Sequence, residues 1–371
     1  MHLGFDAKRA FQNATGLGNY ARDVLRILAV QRPGHQYVAY GSRLAQARGQ
    51  LAEGVDPRGP DTALGRLAPS AWRLAGLAGQ LARDGVELFH GLSNELPLGL
   101  ERAGVPAVVT MHDLIFERFP ELYPALDRRI YAWKARRAVR QARLVIAISR
   151  QTADDLTALY GVDPSRVRGV YQGVHPAFQA PPAPGADEAV AARLALPERY
   201  LLQVGTVERR KNLGLAVRAL PRLPGIPLLV VGRETPYADE VRAEAARLGV
   251  ADRLRFLKGV STAELAALYR RCAVALYPSR YEGFGIPIVE ALACGAPVVT
   301  TRGGVFPEAG GPGTAYVDPD DDQALAALLG ELLADQGRRA TMRAAGLAHA
   351  AKFRDEAVAE ALFAVYREAL A

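Results

Sequence analysis

The sequence predicts an α/β protein built from two doubly wound, parallel-sheet domains that face each other across a cleft. Three observations carry that prediction. Short apolar runs alternate with amphipathic stretches almost from end to end, the pattern of strands buried on both faces and separated by helices. The length, 371 residues, suits two cores better than one. The plan then repeats on either side of HPAFQAPPAPGADEA (175–189), where four prolines and many small residues read as a linker.

In the first half the expected strands are LGFDA (3–7), YVAYG, VELFHG (86–91), AVVTMHD (107–113), LVIAIS (144–149) and VRGVYQG (167–173). Between them lie helical patterns such as YARDVLRILAV and RQTADDLTALYG, the second capped by Ser149. In the second half the strands are YLLQVG (200–205), IPLLVVG (226–232), LRFLKG (254–259), VALYPS (274–279), APVVTT (296–301) and TAYVD (314–318). Ser261 and Glu264 form a capping box before a helix. The last segment, DEAVAEALFAVYREAL, is an amphipathic helix long enough to cross back over the cleft. The expected domains are therefore 1–178 with 353–371, and 179–352. Ligands of such sheets bind beyond the carboxyl ends of the strands.

Composition narrows the function. Half of the residues are hydrophobic and 23% are charged, a globular mixture. The net charge of +7 favours an anionic partner. Two cysteines, Cys272 and Cys294, exclude a disulfide framework and a zinc cluster. With no apolar signal core and no membrane-length run, a cytoplasmic location is expected. No zinc-finger, RNP or KH pattern is present, so nucleic acid is not an expected partner.

The stretch YEGFGIPIVEALACGAPVV (281–299) carries two glutamates, Glu282 and Glu290. Pro287 suits a first helical turn, so the helix is expected to begin near Ile286 and end at Cys294, with Gly295 beyond. Glu282 then lies in the loop and Glu290 about one turn inside the helix. Gly283 and Gly285 permit close backbone approach, and the helix tip attracts anions. GTVERRKNLGLAV (205–217) opens with Gly205 and places Arg209, Arg210 and Lys211 at a strand's carboxyl end, where they suit a diphosphate. ATGLGNYA (14–21) matches a dinucleotide fingerprint through Gly16, Gly18 and Ala21, but the glycines come too late after the strand. A flexible glycine loop is the better reading.

VVTMHDL puts His112 and Asp113 at a strand end, and VELFHGLSNELP does the same for His90, Asn94 and Glu95. His112 is the expected contact to the reacting group; His90, Asn94 and Asp113 are expected to hold an acceptor. Asp318-Pro-Asp320 resembles a metal-binding D-x-D, but a strong helix pattern follows and capping explains it better. No metal and no cofactor are expected. RRIYAWKARRAVRQAR, from Arg128 to Arg143, carries seven basic residues on a helical pattern. It is either a solvated face or an attachment to an anionic membrane surface, at the inner face of the plasma membrane.

Together these stretches resemble the retaining, GT-B-fold glycosyltransferases of family 4, with mannosyltransferase-like members nearest in appearance. The E-x7-E from Glu282 to Glu290, the RKN run after GTVE, the HD at 112–113, the TGLGNY loop and the YGV…VYQGV passage (160–174) fall in the expected order. The resemblance implies two Rossmann-like domains and a nucleotide-sugar donor. GDP-mannose is the first choice and UDP-sugars the second, with a glycan or lipid-linked acceptor. It implies that Glu282 contacts the donor-sugar hydroxyls, that Phe284, Gly285 and Ile286 present the helix tip, and that Glu290 binds the ribose. Arg210 and Lys211 would neutralise the diphosphate, His112 would sit near the sugar carbon, and Gly18 near the phosphates. Arg233 and Lys258 to Val260 are expected at the base. One departure is Arg209, where the family usually has proline after GTxE. An epimerase or a non-catalytic nucleotide-sugar binder are the competing classes; the intact glutamates and basic pair speak against the binder.

Overall fold

The computed structural model describes residues 1–13, 16–44 and 51–371. It divides into two compact units: Met1–Gly173 with Phe353–Ala371, and Val174–Lys352.

The first unit holds a seven-stranded sheet in the order β3-β2-β1-β4-β5-β6-β7. Its strands are β1 (His2–Asp6), β2 (Gln36–Tyr40), β3 (Val55–Arg58), β4 (Leu88–Gly91), β5 (Ala107–Met111), β6 (Leu144–Ala147) and β7 (Val167–Gly169). All are paired in parallel. The central strands β4, β5 and β6 are buried along their whole length, as apolar runs covered by helices on both faces must be. The strand β3 was not expected: it is short and contains Pro57, and it survives because it lies at the sheet edge.

The second unit holds a six-stranded sheet in the order β10-β9-β8-β11-β12-β13. Its strands are β8 (Leu201–Val204), β9 (Leu228–Val231), β10 (Leu254–Leu257), β11 (Val274–Tyr277), β12 (Val298–Thr301) and β13 (Ala315–Val317), again all parallel. Leu201, Leu228, Val230, Val274, Leu276 and Val299 build one face of its core. In each unit the strand order reverses beside the first strand, between β1 and β4 and between β8 and β11. These are the switch points at which open α/β sheets bind ligands.

Three expectations need correction. The glycine stretch is not a loop: a helix runs Gly16–Gln31, and Ala14 and Thr15 lie outside the described residues. Gly18 is required there because a Cβ would fall 1.7 Å from the Asn13 carbonyl oxygen. A preceding helix, Lys8–Gln12, already occupies the space after β1 that a dinucleotide fingerprint would need. The proline-rich stretch is only partly linker, since Ala186–Arg193 is helical. Asp187 in that helix pairs with Arg270 at 2.6 Å and ties it to the Thr262–Arg271 helix. The helix after the D-x-D is capped by Asp321, whose side chain accepts from Ala324 N, and not by Asp318 or Asp320. Ser149 and the Ser261–Glu264 box cap their helices as expected.

The final helix, Asp355–Leu370, belongs to the first unit. It packs on the Gly16–Gln31 helix, with Arg26 paired to Asp355 and Arg32 to Glu360. Among the described residues no helix is long and apolar enough to cross a membrane.

Candidate functional site

The second unit's switch point is filled by charge. After β8 the chain turns through Gly205 (φ 139°) into a 3-10 turn, Arg209–Lys211. Asn212 closes that turn in the left-handed region at φ 56°. Its buried amide donates to the carbonyls of Pro278 (3.2 Å) and Pro319 (2.8 Å), which locks the basic turn onto the end of β11. Gly232, after β9, has no room for a side chain: a Cβ would lie 1.9 Å from the Gly205 carbonyl oxygen. The loops after β8 and β9 therefore touch backbone to backbone.

The loop after β11 brings in Glu282, which is 8% exposed. Arg210 Nη1 lies 2.7 Å from Glu282 Oε2 and Lys211 Nζ lies 2.6 Å from Oε1. Arg210 also donates to the Tyr281 carbonyl and to Glu208 Oε1. Lys211 donates to the Tyr277 hydroxyl and sits 4.7 Å from the centre of that ring. Burial works to raise the Glu282 carboxyl, but the Lys211 and Arg210 charges overcome it and hold its pKa below the usual value. Lys211 is held low by burial, with Arg210 acting the same way and Glu282 opposing. Two cations thus share one buried carboxylate. Glu208 adds a second carboxylate at the rim, on Arg210.

The Ile286–Ala293 helix starts beside this cluster, with Gly285 at φ 101° as its N-cap and Pro287 in the first turn. It ends as the sequence predicts, with Cys294 at the cap and Gly295 at φ 72°. Phe284 is buried. Glu290 does not join Glu282: its Oε2 accepts from the Tyr269 hydroxyl at 3.2 Å. The two glutamates therefore have different partners, one at the loop and one inside the helix. Arg233 and Val260 sit on the loops after β9 and β10, and Lys258 pairs with Glu234 at 3.1 Å.

In the first unit His112 follows β5 and is buried. Its Nε2 donates to the Leu92 carbonyl (2.9 Å), Nδ1 faces the Gln172 amide (3.5 Å), and the ring meets Tyr20 edge-on. Burial pulls its pKa down to about 4, the Leu92 carbonyl opposing and Arg9 assisting, so the ring is neutral near pH 7. Asn94, itself left-handed at φ 58°, accepts the His112 N–H at 2.9 Å, and Asp113 accepts from Ile115 N at 3.1 Å. His90 does not suit the acceptor role expected of it. It is 1% exposed, and both ring nitrogens are taken, by the Tyr366 hydroxyl (2.7 Å) and the Thr110 hydroxyl (2.8 Å). It is the point at which the final helix is fastened to the sheet.

Sequence reasoning missed a second charged cluster at the first unit's switch point. Arg73 reaches Asp6 at the end of β1 (2.5 Å) and Glu95 after β4 (3.0 Å), and Lys134 also reaches Glu95 (3.2 Å). Arg73 stands in no recognisable motif; only the topology brings it there. Tyr277 and Asn212 were missed for the same reason. The Asp320 carboxylate is engaged by Arg280. Among the described residues no group of three or more His, Cys, Asp or Glu is placed to hold a metal ion.

Comparison with known proteins agrees with this geometry. Residues 187–349 match the model of the glycosyl transferases group 1, and residues 14–178 that of Glycosyltransferase Family 4. The chain is 35% identical over 306 residues to a D-inositol 3-phosphate glycosyltransferase of Xylanimonas cellulosilytica, covering 77% of this chain and 72% of the relative. It is 29% identical over 358 residues to the O-antigen chain mannosyltransferase B of Escherichia coli, covering 91% and 92%. Among solved structures, Anabaena Alr3699/HepE in complex with UDP and glucose superposes with a TM-score of 0.77 at 21% identity, over 99% of this chain and 100% of that one. WaaG, a glycosyltransferase involved in lipopolysaccharide biosynthesis, gives 0.72 at 20% identity over 98% of both chains. Two parallel-sheet units, a basic turn and a buried glutamate at the second switch point, and matches to both halves converge on one conclusion: the chain belongs to the family 4 glycosyltransferases of GT-B fold.

Proposed function

We propose that the chain transfers a hexose from a nucleotide sugar to a glycan or lipid-linked acceptor, with retention of anomeric configuration and without a metal ion. The observation that carries this reading is the Glu282–Arg210–Lys211 cluster at the β8/β11 switch point. Breaking a sugar–diphosphate bond builds negative charge on the leaving phosphate. Two fixed cations and the tip of the Ile286–Ala293 helix are the groups that would stabilise it. Glu282 would exchange its ion pairs for donor-sugar hydroxyls, and Glu290 would take the ribose.

In this reading the bond from the sugar carbon to phosphate oxygen breaks as the acceptor oxygen bonds the same face of that carbon. The acceptor proton passes to the leaving phosphate. A product of inverted configuration by NMR would refute the same-face step. Full activity in excess chelator is expected; its loss would refute the metal-independent step. GDP-mannose is the preferred donor, supported by the relative named as a mannosyltransferase, and UDP-sugars are the alternative. Thermal-shift screening decides between them, since a ligand at 100 times its Kd adds about 2.7 kcal/mol.

A membrane-surface acceptor is favoured by one observation. On the Ala125–Gln141 helix, Leu126, Ile130 and Trp133 are 69%, 41% and 52% exposed, at spacings that form a single helical stripe beside the arginines. Trp72, the other tryptophan, is buried. A blue shift of Trp133 emission is therefore expected with anionic vesicles and not with zwitterionic ones. No shift with either would remove the membrane reading.

A further inference from the structure

The second unit carries a recess at the opposite edge of its sheet from the Glu282 cluster. It lies where β8, β11 and β12 begin, between residues just before those strands and the Gln336–Ala350 helix, and is an open concavity of about 400 Å³. Crossing from one edge to the other takes the length of a four-residue strand, about 13 Å. Five arginines line it: Arg199, Arg270, Arg271, Arg339 and Arg343. Its buried Cys272 brings no charge, because burial pushes the thiol up and keeps it protonated.

The arginines are not all compensated. Arg270 and Arg271 pair with Asp187 and Glu188 at 2.6 and 3.4 Å. Arg199 and Arg339 donate only to the carbonyls that end the Asp322–Ala334 helix, at Leu332 and Leu333. Arg343, on the same face of the Gln336–Ala350 helix as Arg339, forms no ion pair among the described residues. Glu198 is the one carboxylate of the lining. Three lining arginines lack a carboxylate partner against that single acid, and two of them are only partly balanced by helix-end carbonyls, so the concavity carries a net positive charge. Arg forks suit phosphate oxygens, and the volume is that of a small-molecule pocket.

We propose that this recess binds a small, soluble phosphorylated metabolite carrying at least two negative charges, at a site separate from the donor cluster. The inference does not rest on the proposed donor or acceptor. The test is calorimetric titration of the full chain with inorganic pyrophosphate. Lys211→Ala takes one cation from the cluster at the far ends of the strands and leaves Arg210 held by Glu282 and Glu208. In that background one saturable equivalent is expected to remain, and Arg343→Glu is expected to weaken it about tenfold or more, with Arg343→Lys, which keeps the charge and loses the fork, falling between the two. Arg343 is exposed, so its variants should keep the parent melting temperature. Glucose 6-phosphate should compete with pyrophosphate at the recess. No saturable binding in Lys211→Ala, binding indifferent to Arg343→Glu, or competition by phosphatidic acid vesicles alone would each overturn the proposal.

Discussion

Glu282 and its two cations make unequal contributions, and that inequality is measurable. Removing the carboxylate leaves Arg210 and Lys211 facing each other in a buried site, whereas removing Lys211 leaves Glu282 still paired to Arg210 at 2.7 Å. Glu282→Ala should therefore cost about 3–5 kcal/mol of stability, and Lys211→Ala clearly less. Both should lower turnover by about 10²-fold or more, the loss typical of one charge-stabilising group. Equal melting temperatures, or near-normal rates, would show that the triad is misassigned. Gly232→Ala tests the neighbouring loop, because its Cβ would collide with the Gly205 carbonyl. Overpacking of that kind costs about 1–3 kcal/mol; donor affinity should fall with it, and unchanged affinity would detach this loop from the site. These residues differ in how they read from sequence. Glu282, Arg210 and Lys211 are legible because motif and strand end coincide. Arg73 and Asn212 are not, because their partners lie far along the chain and only the sheet order brings them together.

At the scale of elements, strands were the most readable and connections the least. The long apolar runs of β4 to β6 and β8 to β12 could be nothing else in a globular chain. The short, proline-bearing β3 carries no such signal, and Gly16–Gly18 disguises the start of a helix. That helix and the final one meet over the sheet, and Tyr366 fastens the final one to β4 through His90. Tyr366→Phe keeps the ring and removes only the hydroxyl, leaving a His90 nitrogen buried without its partner. It should cost about 1–3 kcal/mol. Denaturant unfolding checks this, and a change under about 0.5 kcal/mol would mean that packing, not the hydrogen bond, holds the helix.

For the whole molecule the buried histidines set the acid limit. Burial, helped by the His112 charge, lowers His90 to about 3, and His112 falls to about 4. Both are neutral in the fold and take up protons only on unfolding in the window between those values and the ordinary 6.5. The unfolded chain binds more protons there, so stability falls with falling pH, by about 1.4 kcal/mol per pH unit for each histidine. Asp23 works the other way: burial raises it to about 6 against the pull of Arg26, so it offsets one histidine below that pH. Unfolding free energy should thus decline between pH 7 and 5, and His90→Gln should flatten the slope. A slope indifferent to that substitution would place the acid sensitivity elsewhere.

The shared carboxylate of Glu282 has one more consequence. In the unliganded protein it acts as an internal competitor, occupying the two cations that a phosphate would seek. A ligand that brings phosphates alone must draw the cations away and leave Glu282 with the Tyr277 hydroxyl as its remaining partner. A ligand that brings phosphates and hydroxyls together repays both sides of the exchange. In the proposed donor reading the triad would therefore act as a selectivity filter, disfavouring the spent nucleotide relative to the loaded one and so favouring product release.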